Sequence, residues 1–210
     1  MSTAVIVAGG RSTRFGDRDK VVADLAGVPM VRRVADRLAT VAEHVVVNCR
    51  PDQRDAVEGA LESLSVPVSV ALDPEPDQGP VAGIRTGLRA VEGEYAAVVA
   101  ADMPFVDPDF VAYLFDRAAG HDAAVPRPDE WYQPMQAVYR AGAMADACDA
   151  ALAAADEDEP RILTPVFELD YVVVGEEGID AHAGEGTFEN VNTEEELAAA
   201  AARLSRSEPE

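Results

Sequence analysis

The sequence predicts an α/β protein, a single domain built on a mostly parallel, doubly wound (Rossmann-like) sheet. Four short apolar runs, at residues 3–8, 44–49, 67–72 and 94–101, are rich in β-branched residues and read as strands buried on both faces. Each is followed, directly or after a loop, by a segment with helical spacing or helix-start residues. Four strand-then-helix units in sequence give a three-layer sheet with right-handed crossovers. A chain of 210 residues suits one such domain with a sizeable core. No internal repeat or low-complexity linker interrupts it, so the domain is expected to span 1–204, with a disordered tail over 205–210.

The first strand, Thr3 to Ala8, is stopped by Gly9 and Gly10, which lack a Cβ and let the backbone approach a ligand. Residues 21–27 read as a link to Pro29, which suits the first turn of a helix reaching Thr40. In that helix Met30, Val31, Val34, Leu38 and Val41 keep helical spacing, and Arg32, Arg33, Asp36 and Arg37 face out. His44 to Cys49 is the second strand, Pro51 to Leu64 a helix, and Pro67 to Leu72 the third strand. Prolines 74, 76 and 80 make the following loop rigid and exposed, and a helix runs from Gly79 to Val91. Glu94 to Ala101 is the fourth strand, and the helix from Asp107 to Ala119 has Asp107 as cap and Pro108 at its first position.

The second half is less regular. Ala123 to Val125 and Tyr132 to Arg140 read as strands, Ala141 to Ala154 and Arg161 to Phe167 as helices, and Leu169 to Val174 as a strand. A last helix follows Thr193, with Glu196 completing a capping box.

Composition narrows the function classes. Net charge is −22, spread along the chain, which argues against a nucleic-acid partner. Acidity of this density, with scarce lysine and abundant alanine and valine, fits a halophilic protein whose self-repulsion is screened by salt; the alternative is a basic partner met by an acidic face. Cys49 and Cys148 lie far apart, and His44, His121 and His182 are scattered, so neither a disulfide framework nor a zinc site is expected. With no apolar run of membrane length and a strand and loop where a signal peptide would stand, a cytoplasmic protein without a membrane partner is expected.

The chemistry gathers at the first loop. After a buried strand, Gly9-Gly10 presents consecutive N–H groups to an anion, and Arg14 and Lys20 add cations beside them. A polyphosphate suits this arrangement; the alternative is a plain tight turn. Neither the Walker A spacing nor the dinucleotide fingerprint is present. Of the 17 basic residues, 16 are arginine, so Lys20 is the single lysine, retained where a compact ammonium fits and a planar fork does not.

In open α/β sheets ligands bind at the carboxyl ends of the strands, which points to Gly9, Gly10, Asn48, Asp73 and Asp102. Asn48 can equally be a turn residue, and Asp73, before Pro74, a turn initiator. Asp102 follows five apolar residues and precedes Met103-Pro104, with no cation beside it in sequence. Its carboxylate needs a partner, and Mg²⁺ escorting a nucleotide suits it; the alternative, a helix cap, is a role that Asp107 fills.

Four segments in order, the Gly-Gly loop, Gly79-Pro80-Val81-Ala82-Gly83, Ala101-Asp102-Met103-Pro104-Phe105 and Phe188-Glu189-Asn190-Val191-Asn192-Thr193, resemble the molybdenum cofactor guanylyltransferases. The first is shared by many nucleotidyltransferases with the nucleotide-diphospho-sugar transferase type of fold, whereas the second and fourth together are narrower. The resemblance implies transfer of GMP from GTP to the phosphate of Mo-molybdopterin, with release of pyrophosphate. It implies that backbone groups of Val7, Ala8 and Gly9 contact guanine and ribose and that Asn48 and Asp73 fix base and ribose. Lys20 would hold the triphosphate with Arg14 and Gly10 beside it, Asp102 would bind Mg²⁺, and Asn190 and Asn192 would lie on the molybdopterin side. Transient contact with molybdenum-insertion or molybdoenzyme-maturation proteins is also implied. Adenosylcobinamide phosphate as acceptor, CTP as donor, and a nucleotide-binding protein that has lost catalysis are the competing readings. Asp129 to Pro134 matches the family only at Gln133-Pro134.

Overall fold

The computed structural model describes residues 1–10, 19–75, 77–155 and 159–207. Its main sheet has seven strands in the order β5-β4-β1-β6-β8-β7-β9. In chain order these are β1 (Thr3–Val7), β4 (His44–Cys49), β5 (Val68–Leu72), β6 (Tyr95–Ala100), β7 (Ala123–Pro126), β8 (Gln136–Arg140) and β9 (Tyr171–Val174). The strands β1, β4, β5 and β6 run parallel, with Val7 beside Asn48 on one side and Ala100 on the other. Only β8 is antiparallel to its neighbours β6 and β7. The chain moves outward from β1 to β4 and β5 and then returns to β6 on the far side of β1. That reversal opens a crevice above the ends of β1 and β6.

Alternating residues of the strands face two layers of helices. Ile6, Val45, Val47 and Val99 pack with α1 (Met30–Leu38), α2 (Arg54–Ala60) and α4 (Pro108–Ala118) through Val31, Val34, Leu38, Val57, Phe110 and Leu114. Val5, Val46, Val98 and Tyr139 pack with α3 (Gly79–Arg89) and α5 (Ala141–Ala154) through Val81, Ile84, Leu88, Met144 and Cys148. Burial on both faces explains the continuous apolar runs. A smaller cluster of Leu25, Met30, Phe105, Val191 and Ala200 ties α8 (Glu194–Ser207) to the first helix layer.

Several local expectations are corrected. Residues 21–27 are not a plain link: β2 (Asp24–Leu25) and β3 (Val28–Pro29) form a hairpin. Ala26 and Gly27 both take positive φ at its turn, as two-residue hairpin loops require. Pro29 therefore stands before α1 in an extended conformation rather than in its first turn. The Pro51–Leu64 helix is a 3₁₀ turn, Pro51–Gln53, followed by α2, and it stops at Ala60. Ser63 beyond that end takes a positive φ that no helix allows. Residues 132–135 are loop rather than strand, folded back by a hydrogen bond from Gln133 N to Pro126 O. Two short helices, α6 (Leu163–Val166) and α7 (Glu176–His182), complete the chain. The second had no signal, because Ile179 is its one buried residue. The helix α8 runs past the expected boundary at Ser205, whose hydroxyl donates to Ala201 O; 208–210 lie outside the described residues. The caps stand as expected: Asp107 accepts from Asp109 N and Phe110 N, and Thr193 and Glu196 exchange side-chain to backbone bonds.

Candidate active site

A cleft of about 550 Å³ opens at the carboxyl ends of the parallel strands. Val7, Ala8, Gly9, Gly10, Lys20, Asn48, Asp73, Asp102 and Asn192 all line it, so one cavity gathers residues from four strand ends and the segment before α8. Gln78 to Pro80 at the start of α3, together with Met135 and Glu159, complete the wall. Arg14 lies outside the described residues. Asn190 does not line the cleft: it is exposed and donates to Phe188 O in its own turn.

Lys20 is the centre of charge. It opens a short 3₁₀ turn, Lys20–Val22, capped by Asp19, whose carboxylate accepts from Val21 N. The Lys20 ammonium donates to Asp102 Oδ2 at 2.6 Å and to Asn192 Oδ1 at 2.7 Å, and the residue is only 8% exposed. A charge buried to this degree is tolerated because it is both paired and hydrogen-bonded. Asp102 is fixed by its backbone: Ala101 N donates to Val7 O, and Asp102 O accepts from Val191 N at 2.9 Å. That last bond ties the Asn192 segment to the end of β6.

The second oxygen of Asp102, Oδ1, is buried without a hydrogen-bond partner among the described residues. A carboxylate oxygen so placed suits a hard cation, and Mg²⁺ is commonly held by one or two carboxylates, waters and substrate phosphates rather than by an all-protein cage. The donor set fits that mode: among the described residues no group of three or more His, Cys, Asp and Glu converges as a ligand set.

On the other wall Asn48 is fully buried; its amide donates to Asp73 Oδ1 at 2.7 Å and to Ala71 O at 3.2 Å. Its own Oδ1 is buried and has no hydrogen-bond partner among the described residues. A turn residue would not be held this way, nor would Asp73 be a mere turn initiator. Burial pushes the Asp73 carboxyl above its ordinary range, with the Asn48 and Thr86 hydrogen bonds acting in the opposite direction. Close packing accounts for two of the motif glycines. A Cβ on Gly83 would fall 2.6 Å from Asn48 Oδ1, and one on Gly9 would fall 2.6 Å from Asp73 Oδ2. Ala8 N donates to Asn48 O and Val7 O accepts from Ala101 N. Those two backbone groups are thus committed to the sheet.

Residue types alone did not reveal Arg50, which donates to both Gly9 O and Gly10 O from the end of β4. The available signal was position: a lone cation two residues past Asn48, immediately before a helix-starting proline. Gln136 and Thr187, a buried pair bonded at 2.7 Å, were also missed, having no neighbours in sequence that mark them. The thiols take no part in the cleft's chemistry. Burial is the main cause that pushes Cys49 up to about 11 and Cys148 up to about 12, which keeps both protonated and weakly nucleophilic.

Residues 4–170 match the family described as the MobA-like NTP transferase domain. A protein of Natronomonas pharaonis named a probable molybdenum cofactor guanylyltransferase is 57% identical over 203 residues, covering 97% of this chain and 98% of that one. Its namesake from Haloferax mediterranei is 39% identical over 199 residues, covering 95% and 92%. Among solved structures, molybdopterin-guanine dinucleotide biosynthesis protein A from Archaeoglobus fulgidus is 27% identical, with a TM-score of 0.78 over 98% of this chain and 100% of that one.

Proposed function

The chain belongs to the MobA-like NTP transferase family, and from that premise we infer that it transfers the GMP of GTP to the phosphate of molybdopterin and releases pyrophosphate. The observation that carries the site reading is the Lys20–Asp102–Asn192 constellation at the carboxyl edge, opposite the Gly9-Gly10 corner.

In this reading the base and ribose lie against residues 7–9, Asn48 and Asp73. The unpartnered Asn48 Oδ1 is an acceptor for a base N–H, which the exocyclic amino group and N1 of guanine supply. The triphosphate lies between Gly10 and Lys20. Asp102 would hold Mg²⁺, which would supply neutralisation of the charge that develops at the phosphates. The acceptor's phosphate is already ionised at neutral pH, so no protein base is required for its in-line attack on the α-phosphorus. The work of this chain is alignment and charge placement: Lys20 shares its donors between Asp102, Asn192 and phosphate oxygens, holding the carboxylate and the nucleotide in one frame. Asn192 takes the role of orienting Lys20, from a segment that would also border the acceptor. Arg14 is the further phosphate contact expected from the motif. Transient contact with molybdenum-insertion or molybdoenzyme-maturation proteins fits an enzyme that hands on its product. No helix among the described residues is long and apolar enough to cross a membrane.

The test is incubation with Mg²⁺, each radiolabelled nucleoside triphosphate and candidate acceptors, following pyrophosphate release. The net charge of −22 calls for molar KCl, where the Debye length is about 3 Å. Release with GTP and molybdopterin together is expected. Release with CTP, or only with adenosylcobinamide phosphate, reassigns the substrate, and no release with any pair removes the enzymatic reading.

A further inference from the structure

One arginine is bonded on both sides of the first loop, and the substrate contacts above do not account for it. Arg50, at the end of β4, is 8% exposed. Its Nη1 donates to Gly9 O at 3.1 Å and to Gly10 O at 2.9 Å. Its Nη2 lies 3.7 Å from Asp19 Oδ2, an oxygen that also accepts from Gln53 Nε2 at 2.7 Å. The other oxygen of Asp19 accepts from Val21 N at 3.1 Å and so caps the turn that carries Lys20. Gly10 and Asp19, on either side of residues 11–18, are therefore held to one corner between β4 and α2. The guanidinium is itself fixed, with Nε donating to Asp52 Oδ1 at 3.1 Å, while Arg50 N donates to Gln53 Oε1 at 3.0 Å.

This bonding has a directional consequence. A trans peptide points its C=O and its N–H in opposite directions. Fixing Gly9 O on the Arg50 side therefore turns the N–H of Gly10 the other way, on a residue that lines the cleft. The same guanidinium draws two carbonyl oxygens toward a cation, and it would otherwise fall to the loop alone to keep their negative ends from a polyphosphate. Donating to two carbonyls and to both oxygens of Asp52 takes four donors in a planar fork, and an ammonium has three.

We propose that Arg50 is a positioning residue for the nucleotide's phosphates, acting through the Gly9 and Gly10 carbonyls and through Asp19 on the turn of Lys20. It does not touch the nucleotide, and its effect falls on the phosphate chain rather than on the nucleoside. This rests on the nucleotide reading above and deepens it. A purely structural role would instead lower stability and weaken every ligand alike.

Calorimetry separates the two, using the full chain with GTP, GMP and guanosine in Mg²⁺ and molar KCl, with a thermal melt of each variant. Arg50→Met is expected to weaken GTP at least tenfold, GMP less, and guanosine by no more than twofold. Arg50→Lys, with charge kept and the fork lost, is expected to recover only a minor part of the GTP loss, and it carries the same comparison if Arg50→Met does not fold. Arg54→Gln, which removes a surface pair with Glu58 on α2, should bind all three as wild type does. Equal GTP affinity in wild type and Arg50 variants overturns the proposal alone, as does weakening of GTP and guanosine by one common factor. Failure of both variants to fold assigns Arg50 to stability and also overturns it. Wild type that binds no GTP overturns the nucleotide reading itself.

Discussion

Along the carboxyl edge of the sheet, polar side chains do different work on the two sides of β6. Over β5, β4, β1 and β6, all parallel, Asn48 bonds to Asp73 and Lys20 to Asp102, and Asn48 Oδ1 and Asp102 Oδ1 have no hydrogen-bond partner among the described residues. Past β6, where β8 runs antiparallel, most polar side chains bond within the fold, although Gln136 Oε1 is also buried without a hydrogen-bond partner among the described residues. Thr187 Oγ1 accepts from Gln136 Nε2 at 2.7 Å and from Asp107 N at 3.0 Å. Asp107 caps α4 and also accepts from Gly184 N at 2.8 Å. The outer edge is faced with rings, Tyr132, Phe167 and Tyr171, packed against each other. Parallel strands bring their carboxyl ends to one rim, and in the proposed reading the acceptors left over there meet the substrate. The segment before α8 delivers Asn192 to Lys20 through the Val191–Asp102 backbone bond.

The sharpest contrast is between two aspartates of similar sequence setting, Asp102 and Asp107. Asp102→Asn is expected to keep the fold and lose about a hundredfold in turnover, since a preorganised electrostatic contact is typically worth about 3 kcal/mol. Near-normal turnover by the folded variant would remove Asp102 from the chemistry. Second in size is Lys20→Arg. Charge is conserved, but the bonds to Asp102 and Asn192 are made by one compact ammonium in a buried slot, so turnover should fall roughly tenfold or more. Wild-type turnover in Lys20→Arg would show that only the charge matters there.

These contrasts also mark what the sequence could reveal. Strands β1, β4 and β6 were legible because burial on both faces makes them mostly apolar, whereas β5, at the sheet edge, has Ser69 exposed and no fully buried residue. Lys20 was legible because a chain otherwise using arginine kept one lysine. Asp102 was legible as a carboxylate closing such a run. The hairpin at 24–29, the loop at 132–135 and α7 were not, since their conformations depend on turn geometry and on contacts with distant segments. Asn190 and Asn192 look equivalent in sequence, two residues apart. Residues two apart share a face in a regular extended chain, but this segment is irregular: Asn190 bonds back to Phe188 O in its own turn while Asn192 reaches Lys20, and no local pattern says which.

That pair supplies the next test. Asn192→Ala removes a hydrogen bond to a charged group, worth roughly 1.5–3 kcal/mol, and should lower turnover about tenfold. Asn190→Ala should stay within about twofold, by the same steady-state assay. Equal losses would mean that both asparagines meet the acceptor directly and that the Lys20 contact is secondary. Asp107→Ala has the smallest effect on catalysis and acts on stability instead. Loss of a helix cap costs about 1 kcal/mol, to be read as a lower melting temperature with turnover close to wild type. A variant that melts normally but loses activity would move the functional boundary past β6.

If the parallel half reads guanine, calorimetry of GTP, CTP and ATP against wild type and Asn48→Ala in Mg²⁺ and molar KCl shows it. An unpaired buried polar group costs about 1–3 kcal/mol. Wild type should therefore bind GTP at least tenfold more tightly than CTP or ATP, and Asn48→Ala should lose most of that preference while its phosphate contacts persist. Equal affinity of the wild type for GTP and CTP would contradict the account.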